Sequence, residues 1–197
     1  KEGAEIIDVG AESARTNRGP ISIDEEVARL RPFIETFPAI KTATGKTSAM
    51  LSVNTWRTEV VRQVLPLGVD LLNDMGALPT PDNANLCAKH GTALLIMHSI
   101  GQPKQAHRGQ HYTDVVAEVK SFFLGKLKAV ETAGLDRACT VLDPGIDFAK
   151  DREDNLQLMR ELDRLTELGR PILLPVSRKT VIGEVLDLKN PLERDPG

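Results

Sequence analysis

Leu71-Leu72-Asn73-Asp74, a helical pattern over 82–90, Gly91, and then Ala93-Leu94-Leu95-Ile96-Met97-His98 read as one unit of strand, helix and strand. The two apolar runs have strand length and end in turn-forming or polar residues, while Gly91 stops the helix between them. The alternation continues outward on both sides. Upstream lie Ala4-Glu5-Ile6-Ile7-Asp8-Val9-Gly10 and Ala49-Met50-Leu51-Ser52-Val53-Asn54; downstream lie Cys139-Thr140-Val141-Leu142-Asp143 and Pro171-Ile172-Leu173-Leu174-Pro175-Val176-Ser177. Helical patterns are predicted at 24–36, 56–66, 112–133, 153–168 and 180–187. Asp24-Glu25-Glu26 suits the positive end of a first turn, and Gly68, Gly134 and Gly169 follow helices as stop signals. Strands joined by helical crossovers run parallel with right-handed connections, which leaves a doubly wound sheet or a closed (β/α)₈ barrel.

Six strands do not close an eight-stranded barrel. The sequence opens on what reads as the tail of a helix and stops within or just after one, near Asn190-Pro191-Leu192, so the first and last barrel elements are expected to lie outside residues 1–197. Those residues are read as a single domain, incomplete at both ends. A net charge of -3 and 4% aromatic residues give neither a basic stripe nor stacking platforms, so nucleic acid is not an expected partner. No apolar run approaches the roughly 20 residues needed to cross a bilayer, and Lys1-Glu2-Gly3-Ala4-Glu5 is unlike a signal peptide, so no membrane partner and a cytoplasmic location are expected. Cys87 and Cys139 lie far apart without metal-ligand spacing and read as small packing residues. The polar stretch Ile40 to Ser48 reads as a connection, and its Gly45-Lys46-Thr47 lacks the first glycine of a phosphate-binding loop and precedes a strand instead of following one.

Polar side chains collect at the strand ends: Asp8, Asn54, Asn73, Asp74, His98, Asp143, Ser177 and, just beyond, Lys179. In a barrel these ends converge on one mouth. Singly each suits a helix cap or turn as well as a site. Collectively they predict a polar pocket, because amides and carboxylates inside such apolar runs cost free energy unless paired. Two asparagines, carboxylates and a lysine can satisfy a flat nitrogen heterocycle: carboxylates accept from ring N–H and amino groups, amides do both, and the lysine donates. No nucleophile-and-base series or HExxH motif is present. His90, His107 and His111 read as solvent-facing, His98 as the histidine nearest the pocket, and Trp56 and Tyr112 as packing residues.

Two stretches carry a family resemblance. Leu142-Asp143-Pro144-Gly145-Ile146-Asp147-Phe148-Ala149-Lys150 resembles the LDPGxGFxK motif of dihydropteroate synthases, and Ser177-Arg178-Lys179-Thr180-Val181-Ile182-Gly183 resembles their SRKxxIG motif. The segment from Ala4 to Arg15 is similar to GA(D/E)IIDxGGESTRPG, Leu51 to Thr55 to ISVDT, and Leu71 to Asp74 to IINDI. The resemblance runs in order along essentially the whole chain. It implies a TIM-barrel transferase of folate biosynthesis that condenses 6-hydroxymethyl-7,8-dihydropterin diphosphate with 4-aminobenzoate and releases diphosphate, with Mg²⁺ supporting the leaving group, in a homodimer.

Carried over by position, the resemblance implies that Asn54, Asn73, Asp143, Lys179, Asp8 and Met97 hold the pterin. Phe148, Ser177, Thr16 and Thr180 meet the aminobenzoate, and Arg15 and Ser13 meet the diphosphate, Arg15 by a planar fork that matches phosphate oxygens. Lys179 and Arg15 are the residues expected nearest the chemistry; the expected metal ligand lies outside this sequence. Among the chain's departures from the motifs, Asn54 stands for an aspartate, Ala14 and Thr16 for a threonine and a proline, and Asp147 for a glycine. Asp147 is expected to put a negative charge close to an anionic substrate. A methyltetrahydrofolate:corrinoid methyltransferase and a pterin-binding paralogue without turnover are the rival readings; Ser177-Arg178-Lys179 speaks against the first, and Asn54, Ala14 and Thr16 make the second credible.

Overall fold

Five of the six apolar runs form strands: β1 (Ile6–Gly10), β2 (Met50–Asn54), β3 (Leu71–Asp74), β4 (Ala93–Met97) and β5 (Thr140–Asp143). The structure is a computed structural model that describes residues 3–14, 18–45, 48–101, 103–105 and 110–194. All neighbouring strands pair in parallel, in the order β1-β2-β3-β4-β5. That order decides between the two folds left open by the sequence. A doubly wound sheet reverses its strand order at a switch point, whereas a barrel wall adds each strand beside the last.

The sixth run, 171–177, is a correction. It meets the sheet only at an isolated parallel bridge of Leu142 with Ile172, closed by Leu142 N to Pro171 O at 3.0 Å and Leu173 N to Leu142 O at 2.8 Å. Pro171 and Pro175 carry no N–H to extend a ladder.

Seven α-helices join these strands among the described residues: α1 (Ile23–Thr44), α2 (Thr58–Val64), α3 (Asp82–His90), α4 (Val115–Thr132), α5 (Arg152–Arg160), α6 (Asp163–Thr166) and α7 (Thr180–Val185). The first outruns its predicted end and absorbs much of the expected connection before β2. Ser22 caps it by accepting from Glu25 N at 3.1 Å, and Gly45 ends it at φ 66. Pro32 and Pro38 each remove a helical donor. The helix persists because Val27, Leu30, Ile34 and Phe37 recur on one face and are buried against the sheet. The predicted helix at 153–168 divides at Glu161, which leaves the helical conformation at φ -111, ψ 28. None of the helices is long and apolar enough to cross a membrane, among the described residues.

The period-2 alternation of the strands sorts their side chains into two layers. Leu51, Val53, Leu72, Leu94 and Ile96 join α1, α2 and α3 in one apolar cluster, and Leu142 joins α4 and α5 in a second. On the opposite face Leu71, Leu95 and Met97 form a smaller cluster with Met75, Val141 and Phe148. The helices thus cover one face of the sheet, and the other face carries the inward residues of a barrel.

Candidate active site

The inward layer turns from apolar to polar toward the C-terminal strand ends. Asn54 and Asn73 are register partners on adjacent strands, and one level below them Asp8 pairs with Ser52. Ser52 Oγ donates to Asp8 Oδ1 at 2.5 Å, and Asn73 Nδ2 lies 3.3 Å from both Asp8 oxygens. Among the described residues the Asn54 amide nitrogen meets the sulfur of Met75, at 2.9 Å, a weak acceptor. Among the described residues the Oδ1 atoms of both asparagines are buried without a hydrogen-bond partner. An unpaired buried acceptor typically costs about 1–3 kcal/mol, so two on one face are a debt that a ligand with N–H donors removes.

Asp143 stands at the end of β5, opposite Met97 of β4, and is 5% exposed. Its Oδ1 accepts from Gly145 N at 2.7 Å. Burial pushes its carboxyl up to about 6, while the Gly145 N–H and the cations of Lys179 and Lys150 pull it back down. Gly145 has φ 70, and a Cβ there would sit 2.0 Å from His98 O, so only glycine lets the loop turn back so closely on β4.

Lys179 precedes α7. Its ammonium donates to Ile146 O at 2.9 Å and stands 4.8 Å from the centre of the Phe148 ring. Burial lowers its pKa, opposed by Asp143 and Asp147. Met97 is buried in the cluster that Phe148 borders, so the pocket floor is apolar beneath its polar rim. Asp8, Asn54, Asn73, Met97, Asp143, Phe148 and Lys179 are therefore brought to one mouth. Thr180 opens α7 and Ser177 is exposed two residues before Lys179.

Ser13 lies apart from this group, in a recess with Ala11, Glu12, Arg18, Gly19, Ile21 and Arg29. Arg15 and Thr16 fall outside the described residues, as does His107.

Three expectations are corrected. Asp74 does not enter the pocket: being next to the inward Asn73 it faces the helices, fully buried, and accepts from Gly76 N at 2.8 Å and Asn83 Nδ2 at 2.9 Å. Burial pushes its carboxyl up to about 6 despite these donors. His98 is likewise on the outer layer, edge-on to Phe122 at 4.8 Å between ring centres and bonded through Nδ1 to Lys150 Nζ at 2.9 Å. Burial, and then the Lys150 cation, lower its pKa to about 3, so it is a neutral structural imidazole. Asp147 does not present a loose charge to a substrate. Its carboxylate accepts from Thr180 N at 2.5 Å and Val181 N at 3.2 Å. Its φ of 67 is the conformation that the glycine of the motif adopts without strain. The left-handed conformation costs on the order of 1 kcal/mol for a non-glycine residue, and least for Asn and Asp; capping two helix amides contributes about 1 kcal/mol in return.

Two groups that carry the site were not singled out by the sequence. Lys150, the last residue of the first motif, is half-buried and donates to Gly145 O at 3.1 Å and Phe148 O at 2.9 Å, which shapes the loop between Asp143 and Phe148. Burial lowers its pKa to about 7, against Asp143 and Asp154. Glu12 is buried beside Lys104 and Arg57, accepts from Ile21 N at 2.9 Å and so ties the loop after β1 to those after β2 and β4. Burial opposes its ionisation, but these donors and cations outweigh it and hold its carboxyl below the usual range. Among the described residues no three His, Cys, Asp or Glu side chains come together as a metal-binding group.

A family model described as pterin binding enzyme matches residues 1–197. The dihydropteroate synthase of Synechocystis sp. is 36% identical over 193 residues, which are 98% of this chain and 65% of that protein. The chain therefore spans slightly less than two thirds of that relative's length. The Thermus thermophilus dihydropteroate synthase in complex with 4-aminobenzoate superimposes with a TM-score of 0.86 at 38% identity, covering 98% of this chain and 70% of the other. The Xanthomonas albilineans dihydropteroate synthase in complex with 7,8-dihydropteroate gives a TM-score of 0.80 at 35% identity, covering 98% and 65%.

Proposed function

The chain belongs to the dihydropteroate synthase family of pterin-binding enzymes, and on that premise we propose that it supplies the substrate pocket for condensing 6-hydroxymethyl-7,8-dihydropterin diphosphate with 4-aminobenzoate. The observation that carries this reading is the pair of orphaned amide oxygens on Asn54 and Asn73. They face the same side of adjacent strands, as a fused ring with N–H and amino donors along one edge requires. Asp143 accepts from the same ring, and Lys179 donates to its edge. Met97 supports the ring from below, and Asp8 holds the Asn73 amide in the orientation that presents its oxygen.

In this reading the arylamine lies against Phe148, near Ser177 and Thr180, with its nitrogen directed at the methylene carbon of the pterin. The amine nitrogen forms the new C–N bond as the C–O bond to diphosphate breaks, and the amine proton leaves to solvent. The chain contributes alignment of the two reactants and stabilisation of the departing negative charge. Arg15 and Ser13 are the groups proposed to receive that charge. Magnesium, when bound, would be held by the diphosphate oxygens, the hard donors it prefers, and would supply charge neutralisation to the leaving group; among the described residues no three His, Cys, Asp or Glu side chains come together to cage it. A homodimer formed through the barrel helices belongs to the same proposal and is tested by light scattering.

A second reading, pterin binding without turnover, is favoured by one observation: Asn54 is neutral where the motif has a carboxylate. Diphosphate release by the full-length protein separates the two. Release that needs both pterin diphosphate and 4-aminobenzoate supports the synthase, whereas saturable pterin binding with no release supports the binding paralogue. Methyl transfer from methyltetrahydrofolate to a corrinoid would place the chain with the third reading.

A further inference from the structure

Three consecutive residues, Ile146, Asp147 and Phe148, each engage the start of α7 by different means. Ile146 O accepts from Lys179 Nζ at 2.9 Å, and the Phe148 ring lies under the same ammonium at 4.8 Å. Between them the Asp147 carboxylate accepts from the next two backbone amides, Thr180 N at 2.5 Å and Val181 N at 3.2 Å. The backbone of Asp147 is itself anchored, its N–H donating at 2.9 Å to Asn155 Oδ1 of α5. Asn155 is buried and also donates to Asp151 O at 2.7 Å, so the anchor belongs to the capped first turn of that helix. On the other side Lys179 follows Arg178, which has φ 56, so the chain enters α7 through a tight turn whose exit direction must be fixed from outside.

We infer that Asp147 is a positioning residue that clasps the start of α7 to the loop after β5 and thereby holds the Lys179 ammonium over Phe148, setting the affinity for the arylamine. Glycine at this position, as in the family motif, supplies the same backbone turn but has no carboxylate to make the clasp. The inference rests on the proposed condensation for its substrate, and on geometry alone for the clasp. Among the described residues the hydrogen bonds of the Asp147 carboxylate go to the backbone amides of Thr180 and Val181, and its charge acts on the Lys179 ammonium, so its effect on the substrate passes through Lys179, Phe148 and Thr180.

The test compares the full-length protein with Asp147→Ala and Asp147→Asn. The Asn variant keeps the tolerance for positive φ and one acceptor oxygen, so it retains part of the clasp even if the Ala variant folds poorly. Steady-state kinetics should show the 4-aminobenzoate KM raised about tenfold by Asp147→Ala, with a smaller rise in the pterin diphosphate KM through the shared Lys179, and most of the loss recovered in Asp147→Asn. A purely structural role would lower kcat with the folded fraction and leave both KM values alone. Acylation of lysines by acetic anhydride, read peptide by peptide in a mass spectrometer, gives a readout independent of turnover. Lys179 should be protected in the parent and in Asp147→Asn and become labelled in Asp147→Ala. Unchanged labelling of Lys179 across the three proteins would overturn the clasp. Absence of turnover in the parent would instead count against the proposed reaction, and the labelling result would still decide the role of Asp147.

Discussion

Asn73 on β3 reaches past β2 to Asp8 on β1, its amide nitrogen 3.3 Å from both carboxylate oxygens. A carboxylate can only accept, so this contact fixes which end of the Asn73 amide is nitrogen and leaves its oxygen for the pocket. Asp8 is thus the group that gives Asn73 its recognition polarity, with Ser52 holding the carboxylate from beneath at 2.5 Å.

Asp8→Ala should therefore weaken pterin binding although Asp8 need not touch the ring. With the amide free to turn over, half of its orientations present a donor where the ring also presents one, and a loss of about tenfold in affinity is expected. Because Asp8 is exposed, the melting temperature should move little. Isothermal titration with pterin diphosphate checks this, and an unchanged Kd would show that Asn73 is oriented by something else.

Asn54→Asp replaces an amide whose nitrogen meets the weak acceptor Met75 Sδ by a carboxylate that accepts at both oxygens. Charge-assisted hydrogen bonds are roughly twice as strong as neutral ones, so affinity for the pterin should rise about tenfold. If the parent binds without turnover, this variant is the one expected to gain diphosphate release. Weaker binding in the variant would mean that the ring offers an acceptor, not a donor, at this position.

Asp74→Ala should act on stability and leave substrate affinity alone. The change strips the acceptor from Gly76 N and Asn83 Nδ2 in a fully buried site, an expected loss of about 2 kcal/mol. Chemical denaturation gives the stability, and titration of the folded fraction gives the Kd. A stable variant with lost pterin binding would return Asp74 to the pocket.

Lys150 provides a pH signature. Its pKa falls from 10.5 to about 7 on folding, chiefly through burial. Between those limits the unfolded chain holds a proton that the native state releases, so this contribution is complete above 10.5 and is lost as pH falls toward 7. The melting temperature of the parent should therefore climb from pH 7 to pH 9 relative to Lys150→Met, which cannot titrate. Parallel curves for the two proteins would place the Lys150 ammonium in contact with solvent.

Much of this was legible in the residues. The alternation of strand and helix limited the fold to two candidates, and the strand-end asparagines, Asp143 and Lys179 all fall at the mouth. What the sequence could not supply is the face of each strand. Leu71-Leu72 and Ile96-Met97 are apolar at successive positions because a parallel sheet buries both its faces, so no alternation marks the inward side. That is why the strand-end pattern places Asp74 and His98 at the pocket, although each lies one residue in sequence and one layer in space from an inward side chain, Asn73 or Met97. Lys150 and Glu12 stayed hidden for another reason. Their partners His98 and Lys104 lie 52 and 92 residues away, and only the tertiary fold joins them. Asp147 was read by its charge when its backbone angle mattered more: a glycine in the motif marks a left-handed turn, and the aspartate that replaces it is committed to α7.

The strand-end cluster of Asn54, Asn73, Asp143 and Lys179 is proposed to recognise the pterin ring through the two orphaned amide oxygens. Calorimetric titration of the full-length protein and its Asn73→Leu variant with 6-hydroxymethyl-7,8-dihydropterin diphosphate tests it most directly. Saturable binding at one site per chain is expected in the parent, and a loss of at least about tenfold in the variant, which keeps the branched shape but removes the acceptor and the donor to Asp8. Equal affinity in the two proteins would contradict it.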